Sequence, residues 1–275
     1  MRWVGGKSRY LDRIEAVLPN EITGYYEPFV GGGSVLIHVL ESGRLCSNAP
    51  VRVNDANRHL IDFYNAVKDD PEGLIAELKQ LVVSKEEFHV NRDKFNTKST
   101  PALFLYLNKV GFRGLFRTNK NGKYNVPYGT NSFSKDKPFF FADVIRRCSQ
   151  LFNKYGVVFS AGDYAPFLAL HEESIPPHSV VVADPPYVPL NATSFQAYNA
   201  DGFSPKRSQD VMLRMIQLSQ RGHHVVYFNH NDPDVCAQFK DWEVEVFTAR
   251  RTIRPTDASA TAEEVMIFKP LARRA

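Results

Sequence analysis

Asp184-Pro185-Pro186-Tyr187 is the segment best suited to chemistry. Two consecutive prolines, with fixed φ and no N–H to donate, make a stiff turn in which the Asp184 carboxylate and the Pro185 carbonyl present two rigid acceptors beside the Tyr187 ring. Two acceptors and a flat ring suit a planar exocyclic amine. The plainer reading is a proline-rich loop with Asp184 as a turn former. Gly31-Gly32-Gly33 lets a backbone approach a ligand closely and opens a helix whose first N–H groups are free, although an ordinary tight turn has the same composition. It lacks the G-x-G-x-x-G spacing of a dinucleotide site. Asp55 fits a carboxylate that accepts both hydroxyls of a ribose; taken alone, an N-cap is the simpler reading. Gly6-Lys7-Ser8 looks like the end of a phosphate loop, but Met1 stands where that motif needs glycine and no strand precedes it, which excludes an NTPase.

The elements around these residues alternate. Residues 24–29 read as a strand running into the glycines, and Ser34 to Leu40 as the helix after them. Residues 51–55 form a second strand ending in an acid, and Leu60, Ile61, Phe63, Tyr64 and Val67 recur at helical spacing. Helical pattern continues from Pro71 to Val83 and near Leu103 to Leu107, then dissolves into a Gly/Asn-rich stretch from Gly111 to Asn131, which reads as an insertion. Strands resume at 157–159 and at 180–183, the latter wholly apolar as in a strand buried on both faces. A helix at 208–219 and strands at 225–228, 244–247 and 265–268 complete the pass. This order predicts a doubly wound α/β sheet, with ligands beyond the carboxyl ends of its strands. Gly31 to Gly33, Asp55, Asp163 and Asp184 all fall at such ends.

The 275 residues, 43% hydrophobic and 23% charged, exclude a disordered, collagen-like or coiled-coil chain and predict one large domain or one domain with an insertion. Ala102 to Leu107 is the longest apolar run, far below the roughly 18 residues of a membrane span, and no signal-peptide core is present. A soluble, intracellular protein is expected. Cys46, Cys148 and Cys236 have no metal-ligand or disulfide pattern, and the eight histidines, His223, His224 and His230 among them, show no ligand spacing, so no metal is expected. From Lys94 to Lys135 there are eight cations and no acid, so against a net +4 the rest of the chain carries −4. Phe95, Phe104, Tyr106, Phe112, Phe116, Tyr124, Tyr128 and Phe133 interleave with those cations. Composition fits equally a surface that neutralises phosphates and touches bases, and a solvated helical face whose aromatics are core. Arg250, Arg251 and Arg254 suit phosphate contacts or an exposed turn alike.

In chain order, Trp3-Val4-Gly5-Gly6-Lys7, Phe29-Val30-Gly31-Gly32-Gly33-Ser34, Asn54-Asp55, Gly162-Asp163-Tyr164 and Asp184-Pro185-Pro186-Tyr187 resemble the motifs of the Dam-type (D12 class) adenine-N6 DNA methyltransferases. Gly114-Leu115-Phe116-Arg117 and Tyr124 to Gly129 resemble that family's recognition block. The resemblance covers most of the chain. It implies a Rossmann-like α/β sheet binding S-adenosyl-L-methionine (AdoMet), formed by residues 1–70 and 155–275, with a mostly helical target-recognition insertion at 71–154.

By that resemblance the cofactor is held by Trp3, Gly6, Lys7, Glu27, Phe29, Gly31, Gly33, Ser34, Asp55, Asp163, Tyr164 and Asp184. Asp55 takes its ribose, Asp163 its adenine amine, and Trp3 and Lys7 close its methionine side. Asp184, Pro185, Pro186 and Tyr187 carry catalysis: Asp184 and Pro185 accept the two N6 hydrogens of a flipped adenine stacked on Tyr187. The partner is double-stranded DNA, contacted through Arg113, Leu115, Arg117, Asn119, Lys120, Pro127 and Asn131, with Arg117 suited to guanine O6/N7 in a GATC-like site. Many such enzymes continue with Arg-Tyr where Thr130-Asn131 stand here, and have a smaller polar residue where Arg113 stands, so an altered contact or a relaxed site is implied. Thr193 to Tyr198 is expected as a loop over the base or along the phosphates. Neither a membrane nor an oligomer is required, and the location implied is the cytoplasm of a bacterium or a virus-infected host cell. The competing functions are transfer to another planar amine (RNA adenine, cytosine N4 or a protein amide) and a catalytically silent nucleic-acid-binding protein.

Overall fold

A computed structural model describes residues 1–129, 138–187, 203–250 and 261–270, with no side-chain account at 249, 250, 261 and 262. The chain opens with α1 (Leu11–Val17) and then enters β1 (Tyr25–Glu27), α2 (Ser34–Glu41), β2 (Val51–Asp55) and α3 (Arg58–Asp69). Several helix starts have a local cause. Asn57 caps α3 by accepting from the Leu60 N–H, and Asp70 caps α4 (Pro71–Lys79) with Pro71 in the first turn, where its missing N–H costs nothing. Ser84 accepts from the Glu87 N–H at the start of α5 (Lys85–Thr97), with the Ser-x-x-Glu spacing of a capping box. Thr100 and Pro101 start α6 (Pro101–Val110) in the same way.

Beyond the Gly/Asn-rich segment come α7 (Ala142–Lys154), β3 (Val158–Ala161), α8 (Tyr164–His171), β4 (Val180–Ala183) and α9 (Pro205–Gln220). Then follow β5 (His224–His230), α10 (Pro233–Cys236), β6 (Glu243–Arg250) and β7 (Thr261–Phe268). The seven strands lie in the order β3-β2-β1-β4-β5-β7-β6. The first five are parallel, and β7 runs antiparallel to both β5 and β6. This is the α/β sheet expected, mostly parallel with helices on both faces. No helix among the described residues is long and apolar enough to cross a membrane.

Strand alternation sorts the core into two layers. Tyr25, Val51, Val53, Val180, Val182 and Phe228 join one cluster with α2 and α3, while Tyr26, Val181, Ala183, Val225 and Tyr227 join the other with α8 and α9. The first cluster runs without interruption from the sheet through α3 to Phe88 of α5 and Phe104 of α6. α7 packs on α3 and α4.

Two sequence expectations change, and one element appears that the sequence reading did not include. The helix expected over 71–83 ends at Lys79, α6 is a full ten residues rather than a short core, and α5 appears where the polar sequence showed no clear apolar stripe. The aromatics of the basic segment are core: Phe95, Phe104, Tyr106 and Tyr124 are buried, and Phe112, Phe116 and Tyr128 pack half-buried against them. Lys94, Lys98, Arg113, Lys120 and Lys123 point outward. Phe133 lies outside the described residues.

Candidate active site

The strand order reverses direction of growth between β1 and β4, the switch point at which open α/β sheets form a ligand crevice beyond the carboxyl ends of their strands. Buried Asn54 ties three strand ends together, its Nδ2 donating to Pro28 O at 3.1 Å and to Gly162 O at 3.0 Å. Asp55 then accepts from the Gly31 N–H at 3.0 Å through Oδ2 and from the Asn57 N–H at 2.9 Å through Oδ1. The N-cap of α3 is Asn57, so Asp55 is not the cap that its spacing allowed. Loss of water raises the Asp55 carboxyl above its ordinary range, with the two backbone donors opposing.

Gly31 and Gly33 have φ of 45° and 70°, a region that disfavours a Cβ. The space is also taken. A Cβ on Gly31 would stand 2.9 Å from Trp3 Cδ1, and one on Gly33 would stand 2.7 Å from the Tyr64 hydroxyl, which donates to Gly31 O at 2.7 Å. Trp3, whose ring lies 6.4 Å from that of Phe104, thus covers the turn, and Ser34 begins α2 beyond it. Gly6 is exposed, its N–H donating to Trp3 O.

Lys7 is 2% exposed and bridges the chain's start to β4: its Nζ donates to Gly5 O at 2.7 Å and pairs with Asp184 Oδ2 at 2.6 Å. The Tyr187 hydroxyl donates to Asp184 Oδ1 at 3.0 Å. Lys7 Nζ also lies over the rings of Tyr187 and Phe228, at 5.5 and 5.1 Å. Pro185 is buried and Pro186 exposed. Glu264 of β7, which no motif marks, completes the cluster 3.8 Å from Lys7 Nζ and 3.4 Å from the Tyr187 hydroxyl. Burial raises the Tyr187 phenol well above its ordinary range, and the Asp184 and Glu264 charges add to the effect. Glu27 is buried under the crevice and accepts from the Tyr25 hydroxyl at 2.7 Å. Burial holds its carboxyl well above the usual range against that hydrogen bond, with Asp184 and Asp55 pushing the same way.

Asp163 caps α8, accepting from the Ala165 N–H at 2.9 Å, and its other oxygen pairs with Arg207 of α9. The Arg207 guanidinium also lies 5.0 Å from the Tyr164 ring centre. Tyr164 is buried, donates to Asp210 Oδ2 at 2.9 Å, and meets the Phe29 ring at 5.3 Å. Trp3, Lys7, Glu27, Phe29, Gly31, Gly33, Asp55, Asp163, Tyr164 and Asp184 thus surround the carboxyl ends of β1 to β4.

The residues expected to contact DNA stand on a different segment. Gly111 to Tyr128 folds back on itself through bridges at Gly111 with Tyr128 and Thr118 with Tyr124. Asn119 shapes the turn, its Oδ1 accepting from the Asn121 and Lys123 N–H groups, which leaves Lys120 exposed at the tip. Arg117 Nε donates to Asn125 Oδ1 at 2.8 Å, and Arg113 has φ 55° with its guanidinium by the Phe112 ring. Pro127 is exposed while its carbonyl accepts from the Phe112 N–H. Leu115 is buried at 6% exposure in the cluster of Tyr124 and Val126, so it supports the segment from below rather than presenting a side chain to a ligand. Buried Asn108, unmarked by sequence, joins this segment to the start of the chain by donating to Arg2 O at 2.7 Å and Gly114 O at 2.9 Å. Asn131, the Thr130 position, Thr193 to Tyr198, and the side chains of Arg250, Arg251 and Arg254 lie outside the described residues.

Residues 3–253 match the family described as D12 class N6 adenine-specific DNA methyltransferase. Similar curated proteins include the DNA adenine methylase of Escherichia coli, 30% identical over 98% of this chain and 95% of that protein. The DNA adenine methylase of Vibrio cholerae is 30% identical with the same coverage. The Type II methyltransferase M.MjaIII of Methanocaldococcus jannaschii is 31% identical over 92% of this chain and 91% of that protein.

Proposed function

Because the chain belongs to the D12 class of N6 adenine-specific DNA methyltransferases, we propose that it methylates the N6 amine of an adenine flipped out of duplex DNA, within GATC or a related short site. The observation that carries this reading is the placement of Asp184-Pro185-Pro186-Tyr187 beside the switch point, with both Asp184 oxygens anchored by Lys7 and Tyr187.

The family implies AdoMet as methyl donor, and the residues present fit it. The Gly31 to Gly33 turn is free of side chains, Asp55 and Asp163 place carboxylates at neighbouring strand ends for hydroxyl and amine donors, and Asp184 puts a carboxylate where a cation must sit. When bound, AdoMet supplies a methyl group on a positively charged sulfur. The chain's contribution is orientation and polarisation. Asp184 and the Pro185 carbonyl accept the two N6 hydrogens and so concentrate electron density on the attacking nitrogen. Tyr187 offers the flipped base a face to stack on. An adenine inside a duplex cannot present its amine to Asp184, which is why flipping belongs to the proposal.

Target reading falls to residues 71–154, where exposed Lys94, Lys98, Arg113, Lys120 and Lys123 can neutralise phosphates around Arg117. The Arg117 fork suits guanine O6 and N7 once it exchanges Asn125 for a base. The test is incubation with tritiated AdoMet and a plasmid lacking adenine methylation, followed by digestion with endonucleases that distinguish modified from unmodified GATC. Label in N6-methyladenine with protection at GATC is the expected outcome. Label without GATC protection would overturn the site, and label in cytosine or none at all would overturn the acceptor.

A further inference from the structure

Glu264 stands on β7 in register with His230 of β5 and Phe247 of β6, and its side chain is 15% exposed. Its Oε2 is 3.4 Å from the Tyr187 hydroxyl, whose oxygen is 3.0 Å from Asp184 Oδ1. A phenol has one hydrogen, which cannot lie between its oxygen and two carboxyl groups at once. The shorter contact takes it, so Tyr187 donates to Asp184. The contact between Glu264 and the phenol oxygen then lacks a hydrogen unless Glu264 brings its own. Lys7 does not supply that hydrogen: two of its three N–H groups go to Asp184 at 2.6 Å and Gly5 O at 2.7 Å, and at 3.8 Å from Glu264 its ammonium acts on that carboxyl as a charge and places no hydrogen between Glu264 and the phenol oxygen.

We propose that Glu264 is a positioning residue for methyl transfer: carrying a proton, it donates to the Tyr187 oxygen, which holds the Tyr187 hydroxyl as a donor to Asp184 and fixes the Asp184 carboxylate toward the amine. This rests on the function proposed above. Among the described residues, the charged and titratable groups facing Glu264 are Asp184 and Tyr187 after β4, Lys7 before α1, and His230 on β5, whose ring meets that of Tyr187 at 4.6 Å, while its partner in register on β6 is the apolar Phe247. Burial, the largest influence, raises the Glu264 carboxyl, and Asp184 adds to it against Lys7.

Two measurements test this. The first is the carboxyl carbon resonance of Glu264 in 13C-glutamate-labelled protein, assigned with Glu264→Gln and followed against pH. It is expected to titrate above the ordinary value of about 4.3. The second is methyl transfer by Glu264→Gln and Glu264→Ala. The amide of Glu264→Gln still donates, so its kcat stays near that of the unaltered protein and loses the decline at rising pH that Glu264 imposes. Glu264→Ala leaves the phenol oxygen without its donor and lowers kcat about tenfold at little change in KM, the scale of one net hydrogen bond. An ordinary Glu264 titration, a Glu264→Gln enzyme as impaired as Glu264→Ala, or a Glu264→Ala enzyme with unaltered kcat overturns the proposal. If the unaltered protein transfers no methyl to adenine, the functional reading fails, while the resonance, read without turnover, still decides whether Glu264 holds a proton.

Discussion

Replacing Lys7 by methionine removes the ammonium that pairs with Asp184 while keeping most of the side-chain volume. Lys7 is 2% exposed, and the variant forfeits its bonds to Gly5 O and Asp184 Oδ2. Asp184 then keeps its charge without the ammonium that balanced it. Breaking a buried pair in this way costs about 3–5 kcal/mol. Asp184 is 22% exposed and keeps some water, which favours the lower end, about 3 kcal/mol. In a chain of this size each kcal/mol moves the melting temperature about 2–4 °C, so a drop of roughly 6–12 °C is expected. Asp184→Asn in the same background removes the stranded charge. The double variant should therefore recover about 2 kcal/mol relative to the sum of the single changes, as expected for groups in contact. Denaturant and thermal unfolding of the four proteins in this cycle measure both quantities. A Lys7→Met protein melting within about 2 °C of the parent would refute the reasoning, as would additive effects in the cycle. Methyl transfer by Lys7→Met should fall about 100-fold, because Asp184 and Tyr187 lose their shared orientation.

Gly33→Ala must place a Cβ 2.7 Å from the Tyr64 hydroxyl at φ 70°, whereas Gly43→Ala at φ 73° meets no atom within 4 Å. Both carry the left-handed cost of about 1–2 kcal/mol, and Gly33→Ala should add a further loss of stability and weaken AdoMet binding; equal melting temperatures would discount the Tyr64 contact. Glu27 holds its proton to higher pH folded than unfolded, so its stabilising contribution is complete below the ordinary carboxylate range and is lost as pH rises through its raised folded value. Glu27→Gln should flatten the melting temperature against pH over that window, and parallel profiles for parent and variant would contradict it. Arg117→Ala should relax discrimination at one guanine by about 1–3 kcal/mol, while Lys120→Ala should weaken all duplexes alike and reduce the salt slope by about 1. Binding titrations at several salt concentrations separate the two, and a uniform loss from Arg117→Ala would remove its assignment as a base reader.

The parts legible in the sequence were those whose physics is local. The wholly apolar Val180 to Ala183, the glycines entering α2 and the helical spacing after Asp55 each depend on near neighbours, and they place Asp184, Gly31 and Asp55 at strand ends without any tertiary information. α5 was less visible because its residues are mostly polar, although Ser84 and Glu87 carry its start signal. Composition left open whether the aromatics between Lys94 and Lys135 face a ligand or the core. Packing decided it, since only the folded helices show which side of α5 and α6 is covered. What no local pattern contains is adjacency across the sheet. Glu264 reaches Tyr187, 77 residues away, only because β7 inserts antiparallel beside β5 in the register that pairs it with His230. Lys7 reaches Asp184 across 177 residues, Asn54 reaches Gly162 across 108, and Arg2 meets Asn108 across 106. Such contacts follow from strand order and register, which many weak packing terms choose together, so the sequence determined which groups the site contains and the tertiary structure decided how their protons and charges are shared.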